Sequence, residues 1–307
     1  MRLEARRKRA SGKKIQTIGQ ALEWGLQTLR FLGSREARTS SERILGDVLG
    51  FERVRLYLEA GQFLPAGRFA RFRRLVSLRK KRFPLAYILK KAAFWNETLD
   101  VGPGCLIPRP ETEILVEKFI ERSGFRKDTA FSFLDLGCGS GAIGIALLRH
   151  FSRARGVLSD ISRAALKVTQ GNLGRYGLLA RTAAVHSDLF KGFVGREEKG
   201  WDAIVSNPPY VADGQMAGLD PEVRREPKRA LSGGPDGLFF YRRIAKEACA
   251  FLKPGGILML EMGYGQDRKI QKLIQQTKRF SKAVIFKDYA GIPRVLMARA
   301  KKAARHG

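Results

Sequence analysis

The stretch FLDLGCGSGAIGIALL, residues 133–148, decides the fold: an apolar run breaks into a turn with Gly137, Gly139 and Gly141 at alternate positions, then resumes as the start of a helix. Glycines in such a turn let the backbone bend tightly and approach a ligand closely, as a nucleotide-bearing cofactor requires. Gly139, Gly141 and Gly144 also fit the G-x-G-x-x-G spacing of a dinucleotide fold, so the loop alone leaves two cofactor classes open. Asp135 opens the loop and shifts the balance, since it suits a cationic amino-acid moiety and would repel a pyrophosphate; Cys138 lies inside the loop and is grouped with it as a cofactor contact. Asp160 ends GVLSD, where a second strand should stop and a carboxylate can accept both ribose hydroxyls. Asp188, in HSDLF after a third strand, is placed to reach an adenine edge, although a turn or N-cap role suits it equally.

After Glu111 strand-like and helix-like stretches alternate. FSFLDL, GVLSD, TAAVHSD, DAIVSN, GILMLEM, KAVIFKD and RVLMARA read as strands with helical segments between most of them, which argues a parallel, doubly wound sheet covered on both faces. Only Tyr289 to Pro293 separate the last two, too few for a helical crossover, so these should pair antiparallel as a hairpin ending the sheet. Ahead of Glu111, Ile15, Ile18, Leu22, Leu26, Leu29 and Leu32 form one apolar helical stripe. A second helical pattern runs through Ile44, Leu45, Val48 and Leu49 after Ser40 and Ser41 as candidate N-caps, and a third, basic one spans 66–82. These suggest a small all-helical domain. From Pro84 to Pro110 come short extended runs and the stiff Ile107-Pro108-Arg109-Pro110, so a connector hairpin is expected there.

WDAIVSNPPYV, residues 201–211, carries the chemistry. An apolar strand runs into Asn207-Pro208-Pro209-Tyr210, where two prolines fix the backbone and remove amide donors that would compete for nearby carbonyls. Together they read as a clamp for a planar NH2 group. The Asn207 side-chain oxygen and the Pro208 carbonyl accept its two N–H bonds, Tyr210 stacks on its plane, and the nitrogen lone pair is left aimed at an electrophile. Amide and aryl amino nitrogens are poor nucleophiles because that lone pair is delocalised, so orientation and electrostatics must supply most of the acceleration.

The 307 residues are 44% hydrophobic, which excludes disordered and fibrous classes, and no stretch approaches the roughly 18 apolar residues of a membrane span. The opening MRLEARRKRASGKK lacks the apolar region of a secretory signal, so a soluble cytoplasmic chain is expected, with an Arg-rich transit peptide as the alternative. Cys105, Cys138 and Cys249 are far apart, and His150, His186 and His306 share no ligand spacing, so neither disulfides nor a metal site is expected and the cysteines default to small apolar packers. The charge is unusual, 58 basic against 29 acidic residues for a net +29. Residues 1–14 hold seven Lys/Arg against one Glu, RFARFRRLVSLRKKR at 68–82 holds eight with no acid, and the tail adds Arg299, Lys301, Lys302 and Arg305. Such segments suit weak, non-specific nucleic-acid contact as well as plain solvated faces.

The glycine loop, Asp160 and SNPPY together resemble class I S-adenosylmethionine-dependent methyltransferases that act on planar amino groups. Within that class the chain is similar to the HemK/PrmC family, the peptide chain release factor glutamine N(5)-methyltransferases. The resemblance runs over about residues 15–299 through PLAYIL (84–89), LIPRPETE (106–113), EPKRAL (226–231), GPDGL (234–238), PGG (254–256), LEMG (260–263) and KDYAGIPRV (287–295). It implies an α/β Rossmann-like domain of seven strands at 111–300, preceded by a helical substrate-recognition domain at 15–83 and a connector hairpin at 84–110; a basic extension at 1–14 and a basic tail at 301–307 flank these, and the extension and the +29 charge fall outside the family's usual pattern. It further implies S-adenosylmethionine as cofactor, a release factor as partner, and a methylated glutamine in the Gly-Gly-Gln tripeptide as product. Carried over, Gly137, Gly139 and Gly141 line the cofactor loop, Asp160 holds the ribose, Asn207 with Pro208 grips the glutamine amide, and Arg109, Pro110, Glu111 and Thr112 lie near the cofactor and acceptor pocket. Two places depart from the pattern: Ala86 stands where the family commonly has Gln, and Lys90 and Lys91 stand where a glycine usually follows PLxYIL.

Three other readings compete. An exocyclic adenine or cytosine amine meets the same clamp, and a basic surface suits a phosphate backbone, but IPRPETE and the lack of an obvious target-recognition domain argue against a nucleic-acid substrate. Glutamine methylation of a ribosomal protein is a sister activity. A non-catalytic RNA-binding module is opposed by the intact Asp160 and NPPY.

Overall fold

The computed structural model describes residues 16–195 and 200–301. The basic extension expected at 1–14 and all but Lys301 of the tail lie outside the described residues. The chain divides into two compact units, one ending at Leu89 and the other beginning at Lys90.

The first unit is helical, with α1 (Ile18–Leu29), α2 (Ser34–Leu49), α3 (Arg53–Leu58), α4 (Ala66–Lys80) and α5 (Leu85–Leu89). A reciprocal capping box starts α1: Thr17 Oγ1 accepts from Gln20 N, and the Gln20 side chain accepts from Thr17 N. Of the apolar stripe read from the sequence, Ile18, Leu22 and Leu29 are buried and pack with Ile44, Leu45, Val48, Phe72 and Val76 into one core, Leu26 and Leu32 are partly buried against it, and Ile15 lies outside the described residues. Three expectations are corrected. Ser40 and Ser41 are buried mid-helix residues of α2, which starts six residues earlier after Gly33. Their small side chains allow a close helix crossing, since a Cβ on Gly25 of α1 would lie 2.9 Å from Ser41 Oγ. Arg79 is not part of a solvated basic face: it is buried, bonded to Ser40 Oγ at 3.1 Å and to Glu36 at 3.0 Å. Residues 84–89 belong to the helical unit as α5, because Leu85, Ile88 and Leu89 pack on its core, so the boundary falls at 89 and not at 83.

The second unit opens with a hairpin, β1 (Lys91–Phe94) and β2 (Glu97–Asp100), followed by α6 (Pro110–Arg122), β3 (Ser132–Leu136), α7 (Ala142–His150), β4 (Arg155–Asp160), α8 (Arg163–Arg175) and β5 (Thr182–His186). It continues with β6 (Trp201–Ser206), α9 (Phe239–Phe251), β7 (Leu252–Glu261), α10 (Asp267–Gln276), β8 (Val284–Lys287) and β9 (Pro293–Arg299). Seven strands form one sheet in the order β5-β4-β3-β6-β7-β9-β8. The first five are mutually parallel, whereas β9 runs antiparallel to both β7 and β8, so the short Tyr289–Pro293 connection does close a hairpin. Alternate side chains of each central strand enter two cores. Phe133 packs with α6 and α7 residues such as Phe119 and Leu148, while Leu134 on the other face packs with Tyr241 and Ile244 of α9.

Lys90, where the sequence departs from the glycine expected after PLxYIL, has φ +58, and its carbonyl accepts from Val101 N at 3.2 Å. A left-handed residue is needed to enter the hairpin, and an L side chain there costs roughly 1–2 kcal/mol. Lys90→Gly removes that strain and gives back part of it as backbone entropy. It should therefore raise unfolding stability by up to about 1 kcal/mol in a denaturant titration, and a fall in stability would show that the lysine side chain makes a compensating contact.

Candidate active site

The C-terminal ends of β3, β4 and β6 face a cavity of about 750 Å3, within the range of small-molecule sites. Of the residues expected at a site, Gly137, Gly139, Asp160, Asp188, Asn207, Pro208 and Pro209 line it. They converge because the glycine loop follows β3, Asp160 ends β4, and Asn207 is the first residue after β6.

Gly137 and Gly139 have φ values of +70 and +58, and a Cβ added to either would meet nothing within 4 Å. Both conformation and open space at the wall favour glycine, which leaves a bare cradle against which a ligand can lie. Gly137 N and Cys138 N both donate to Ser159 O, at 2.8 and 2.9 Å, tying the loop to the end of β4. Asp160 is held from both sides, Oδ2 by Gly139 N at 2.9 Å and Oδ1 by Ser162 N at 2.8 Å. Burial nevertheless pushes its carboxyl above the usual range, against those two N–H bonds, so a hydroxyl donor at the cavity is favourable to it. Each carboxylate oxygen has lone pairs to spare, so the pair of oxygens fits the two hydroxyls of a ribose.

Other expected residues are placed differently. Asp135 is not on the cavity wall; it is 1% exposed, its Oδ2 accepts from Gly144 N at 3.0 Å, and its Oδ1 has no partner. Burial raises its carboxyl to about 7. Its position ties the start of α7 to β3, with Gly144 so close to Leu158 that a Cβ would lie 2.7 Å from that side chain. Cys138 is a buried packer against Thr169, and Gly141 begins α7 with its Cα facing Thr169 and Ile145, so neither reaches the wall. Asp188 lines the cavity, but its two oxygens pair with Arg243 at 2.7 Å and Lys191 at 2.9 Å, which holds its carboxyl below the usual range.

At the end of β6, Asn207 Nδ2 donates to Thr112 Oγ1 at 3.0 Å. No hydrogen bond ends on Asn207 Oδ1 or the Pro208 carbonyl among the described residues, so the two acceptors needed by a planar NH2 group stand adjacent and free. Tyr210 is not among the residues that line the cavity. Its ring packs on Gly263, where a Cβ would lie 2.9 Å away, its carbonyl accepts from Gln266 Nε2 at 3.0 Å, and burial beside Glu261 pushes its phenol up. Arg109 pairs with Glu226 at 2.5 Å, and Glu226 also accepts from Ile107 N at 3.0 Å. Arg109 therefore braces the proline-framed loop, while Glu111 is exposed in the first turn of α6. Sequence reasoning missed Cys105, Ser162, Lys228, Arg229 and Phe240 on the wall. Only EPKRAL, which contains Lys228 and Arg229, carried a signal for them. Among the described residues no group of three or more His, Cys, Asp or Glu is arranged to hold a metal ion, and no helix is long and apolar enough to cross a membrane.

Comparison with known proteins agrees with this geometry. Residues 109–234 match the methyltransferase small domain, and residues 20–89 match the PrmC N-terminal domain. The chain is 35% identical over 282 residues to the release factor glutamine methyltransferase of Moorella thermoacetica, covering 92% of this chain and 98% of that one. It is 38% identical over 287 residues to the protein of the same description from Geobacter sulfurreducens, covering 93% and 98%. Among solved structures, the Thermus thermophilus 16S rRNA methyltransferase RsmC in complex with AdoMet and guanosine superposes with a TM-score of 0.51 at 25% identity, over 69% of this chain and 50% of that one.

The buried Asp135 makes a signed prediction. Because its carboxyl titrates at about 7 when folded and at 3.8 in the reference state, folding retains a proton between those values, so its contribution is complete below about pH 4 and is lost as pH rises through 7. Asp135→Asn keeps an acceptor for Gly144 N and cannot ionise. In denaturant unfolding of cofactor-free protein, the stability of the variant relative to wild type should increase by on the order of 2 kcal/mol from pH 5 to pH 8. A pH-independent difference would show that Asp135 is ionised throughout.

Proposed function

The chain belongs to the release factor glutamine methyltransferase family, and from that premise we propose that it transfers a methyl group from S-adenosylmethionine to the side-chain amide nitrogen of the glutamine in the Gly-Gly-Gln motif of a peptide chain release factor. The observation that carries this reading is the pair of free acceptors, Asn207 Oδ1 and the Pro208 carbonyl, on the wall of the same cavity as Gly137, Gly139 and Asp160.

Bound S-adenosylmethionine supplies an electrophilic methyl group on a sulfonium centre. The residues of this chain do the rest. Asp160 accepts from ribose hydroxyls, and the bare backbone at Gly137 and Gly139 admits the ligand close to the strand ends. Asn207 and Pro208 each accept one N–H of the glutamine amide, which fixes the plane of that amide and turns the face of its nitrogen toward the methyl group. As the N–C bond forms, the nitrogen becomes cationic and its hydrogens more acidic, so the two acceptors bind the transition state more strongly than the ground state. The methyl–sulfur bond breaks as the N–C bond forms, so that S-adenosylhomocysteine leaves as a neutral thioether, and one N–H proton passes to water to give the neutral N-methyl amide.

A tripeptide is too small to select one protein among many, so a second surface must supply specificity, and the helical unit that matches the PrmC N-terminal domain is assigned that task. On α4, Arg71, Arg73, Arg74 and Lys80 are exposed, which supports weak non-specific attraction to nucleic acid near the substrate, sensitive to salt. An exocyclic base amine would fit the same acceptors, but relatives that share nearly the whole chain carry the glutamine activity.

Two variants test the assignments. Asn207→Ala should lower the rate of release factor methylation, followed by peptide mass spectrometry, about a hundredfold or more while calorimetry still shows cofactor binding. Retention of more than about a third of wild-type turnover would remove Asn207 from the acceptor site. Asp160→Ala should weaken S-adenosylmethionine binding about 10- to 100-fold, as expected for losing two charge-assisted hydrogen bonds; unchanged affinity in the same calorimetric assay would put the ribose elsewhere.

A further inference from the structure

Every hydrogen bond of the Gln266 side chain among the described residues is made with a backbone group, so its amide can face only one way. Oε1 accepts from Gly263 N at 3.1 Å, and Nε2 donates to Tyr210 O at 3.0 Å and to Gly237 O at 3.4 Å. A backbone N–H only donates and a carbonyl only accepts, which fixes both ends of the amide. No other hydrogen bond ends on Tyr210 O among the described residues. Gln266 is itself held in place. It precedes the first residue of α10, and its own N donates to Gly263 O at 3.2 Å, closing a turn in which Gly265 has φ +71.

The three segments joined in this way lie behind the acceptor clamp. Tyr210 directly follows Asn207-Pro208-Pro209, Gly237 belongs to GPDGL, and Gly263 comes two residues after β7. They pack closely: a Cβ on Gly237 would lie 2.6 Å from Gln266 Nε2, and one on Gly233 would lie 2.8 Å from Pro209 O. Pro209 locks a torsion between the Pro208 and Tyr210 carbonyls, so a shift of one is carried to the other. We infer that Gln266 is a positioning residue that, from outside the cavity wall, holds the Pro208 carbonyl where it can accept from the substrate NH2 group. The position asks for an acceptor and a donor at the end of one side chain, which a carboxamide supplies. An ionised carboxylate would set an oxygen against two carbonyls, and alanine would leave all three backbone groups without this partner. The kinetic consequence rests on the glutamine methyl-transfer reading; the bonds of the amide do not.

Gln266→Ala removes the amide, whereas Gln266→Glu keeps its shape and the acceptor for Gly263 N. With release factor and S-adenosylmethionine at about pH 8, both should lower kcat about tenfold or more, with calorimetric affinity for S-adenosylmethionine within about twofold of wild type. For Gln266→Glu the ratio of its kcat to that of wild type should rise as pH falls, because a protonated carboxyl regains a donor for Tyr210 O, and two facing carbonyls raise the pH at which it protonates. For Gln266→Ala the ratio should stay flat. Tyr210-Val211 is the only Tyr-Val pair in the chain, so labelling with 13C-carbonyl tyrosine and 15N-valine gives one signal for the carbonyl that Gln266 holds. That carbonyl signal should move to lower frequency in Gln266→Ala. It should move likewise in Gln266→Glu at about pH 8 and return toward its wild-type position over the same pH range as the rate. A kcat unchanged in Gln266→Ala, a cofactor affinity that falls as far as kcat, a Tyr210 carbonyl signal unmoved in Gln266→Ala, or a Gln266→Glu rate that does not follow the signal would each overturn the assignment. If wild type leaves the release factor glutamine unmethylated, the functional reading fails, and the carbonyl signal, which needs no substrate, still decides whether Gln266 holds Tyr210.

Discussion

The arrangement of the site depends on the reversal of strand order at β3. From β3 the chain moves outward through β4 and β5 on one side of the sheet, then returns across to place β6 and β7 on the other. Because these five strands are parallel, all their C-terminal ends lie on one edge, and the crossover helices must depart in opposite directions from β3. A crevice opens where they diverge. The glycine loop, Asp160 and Asn207 are scattered over 70 residues from 137 to 207 and still meet there, each being the first thing its strand delivers. A β6 added beyond β5 would separate the acceptor clamp from the glycine loop by three strand spacings, about 14 Å, instead of one.

Electrostatics at that edge is dominated by carboxylates that sit at or just behind the wall. Asp135 and Glu261 are both buried and both raised to about 7 by desolvation, one at β3 and the other at the end of β7. Asp135 Oδ2 accepts from Gly144 N, while Asp135 Oδ1 and Glu261 Oε2 are buried without a hydrogen-bond partner. The cost of burying them is borne by the catalytic unit in exchange for fixed geometry around the loop and the clamp. Asp160 differs in facing the cavity, where a ligand can satisfy it. On a chain of net charge +29, these few acidic groups are concentrated where a cationic ligand and an amide NH2 group are expected to lie.

Most of this architecture was legible in the sequence because strand periodicity and glycine spacing are local properties. The seven strands, the terminal hairpin, the loop, Asp160 and NPPY all follow from runs of fewer than a dozen residues. What local pattern could not give was the direction of a side chain once its neighbours are in place. Asp135 read as a cofactor contact because it precedes the glycines, but in β3 its alternation points it under α7 toward Gly144. Tyr210 read as a stacking face, but Gly263 leaves a space beside β7 that its ring fills. Arg79 lay in a basic run, and only the tertiary approach of α2 to α4 brings Ser40 and Glu36 to it from about 40 residues away. Thr112 and Asn207 lie in segments that marked the family, PETE and NPPY, with nothing local to show that they meet.

The choice of asparagine at 207 follows from the same geometry. A residue that must be held from behind and accept in front needs a donor on one end and an acceptor on the other, both neutral. Aspartate would offer acceptors at both ends, and Thr112 Oγ1 would lose the donor it now takes from Asn207 Nδ2. Two carboxylates would then stand side by side at the ends of β6 and β7, with Glu111 already acting on Glu261. Like charges so close force one of them to stay protonated, and a protonated acid at 207 would present a donor toward the substrate NH2 group in part of the population. Asparagine avoids both outcomes, and it does so only if something fixes which way it faces. Thr112 Oγ1, 3.0 Å from Asn207 Nδ2, holds the rear end of that amide and leaves Oδ1 toward the cavity.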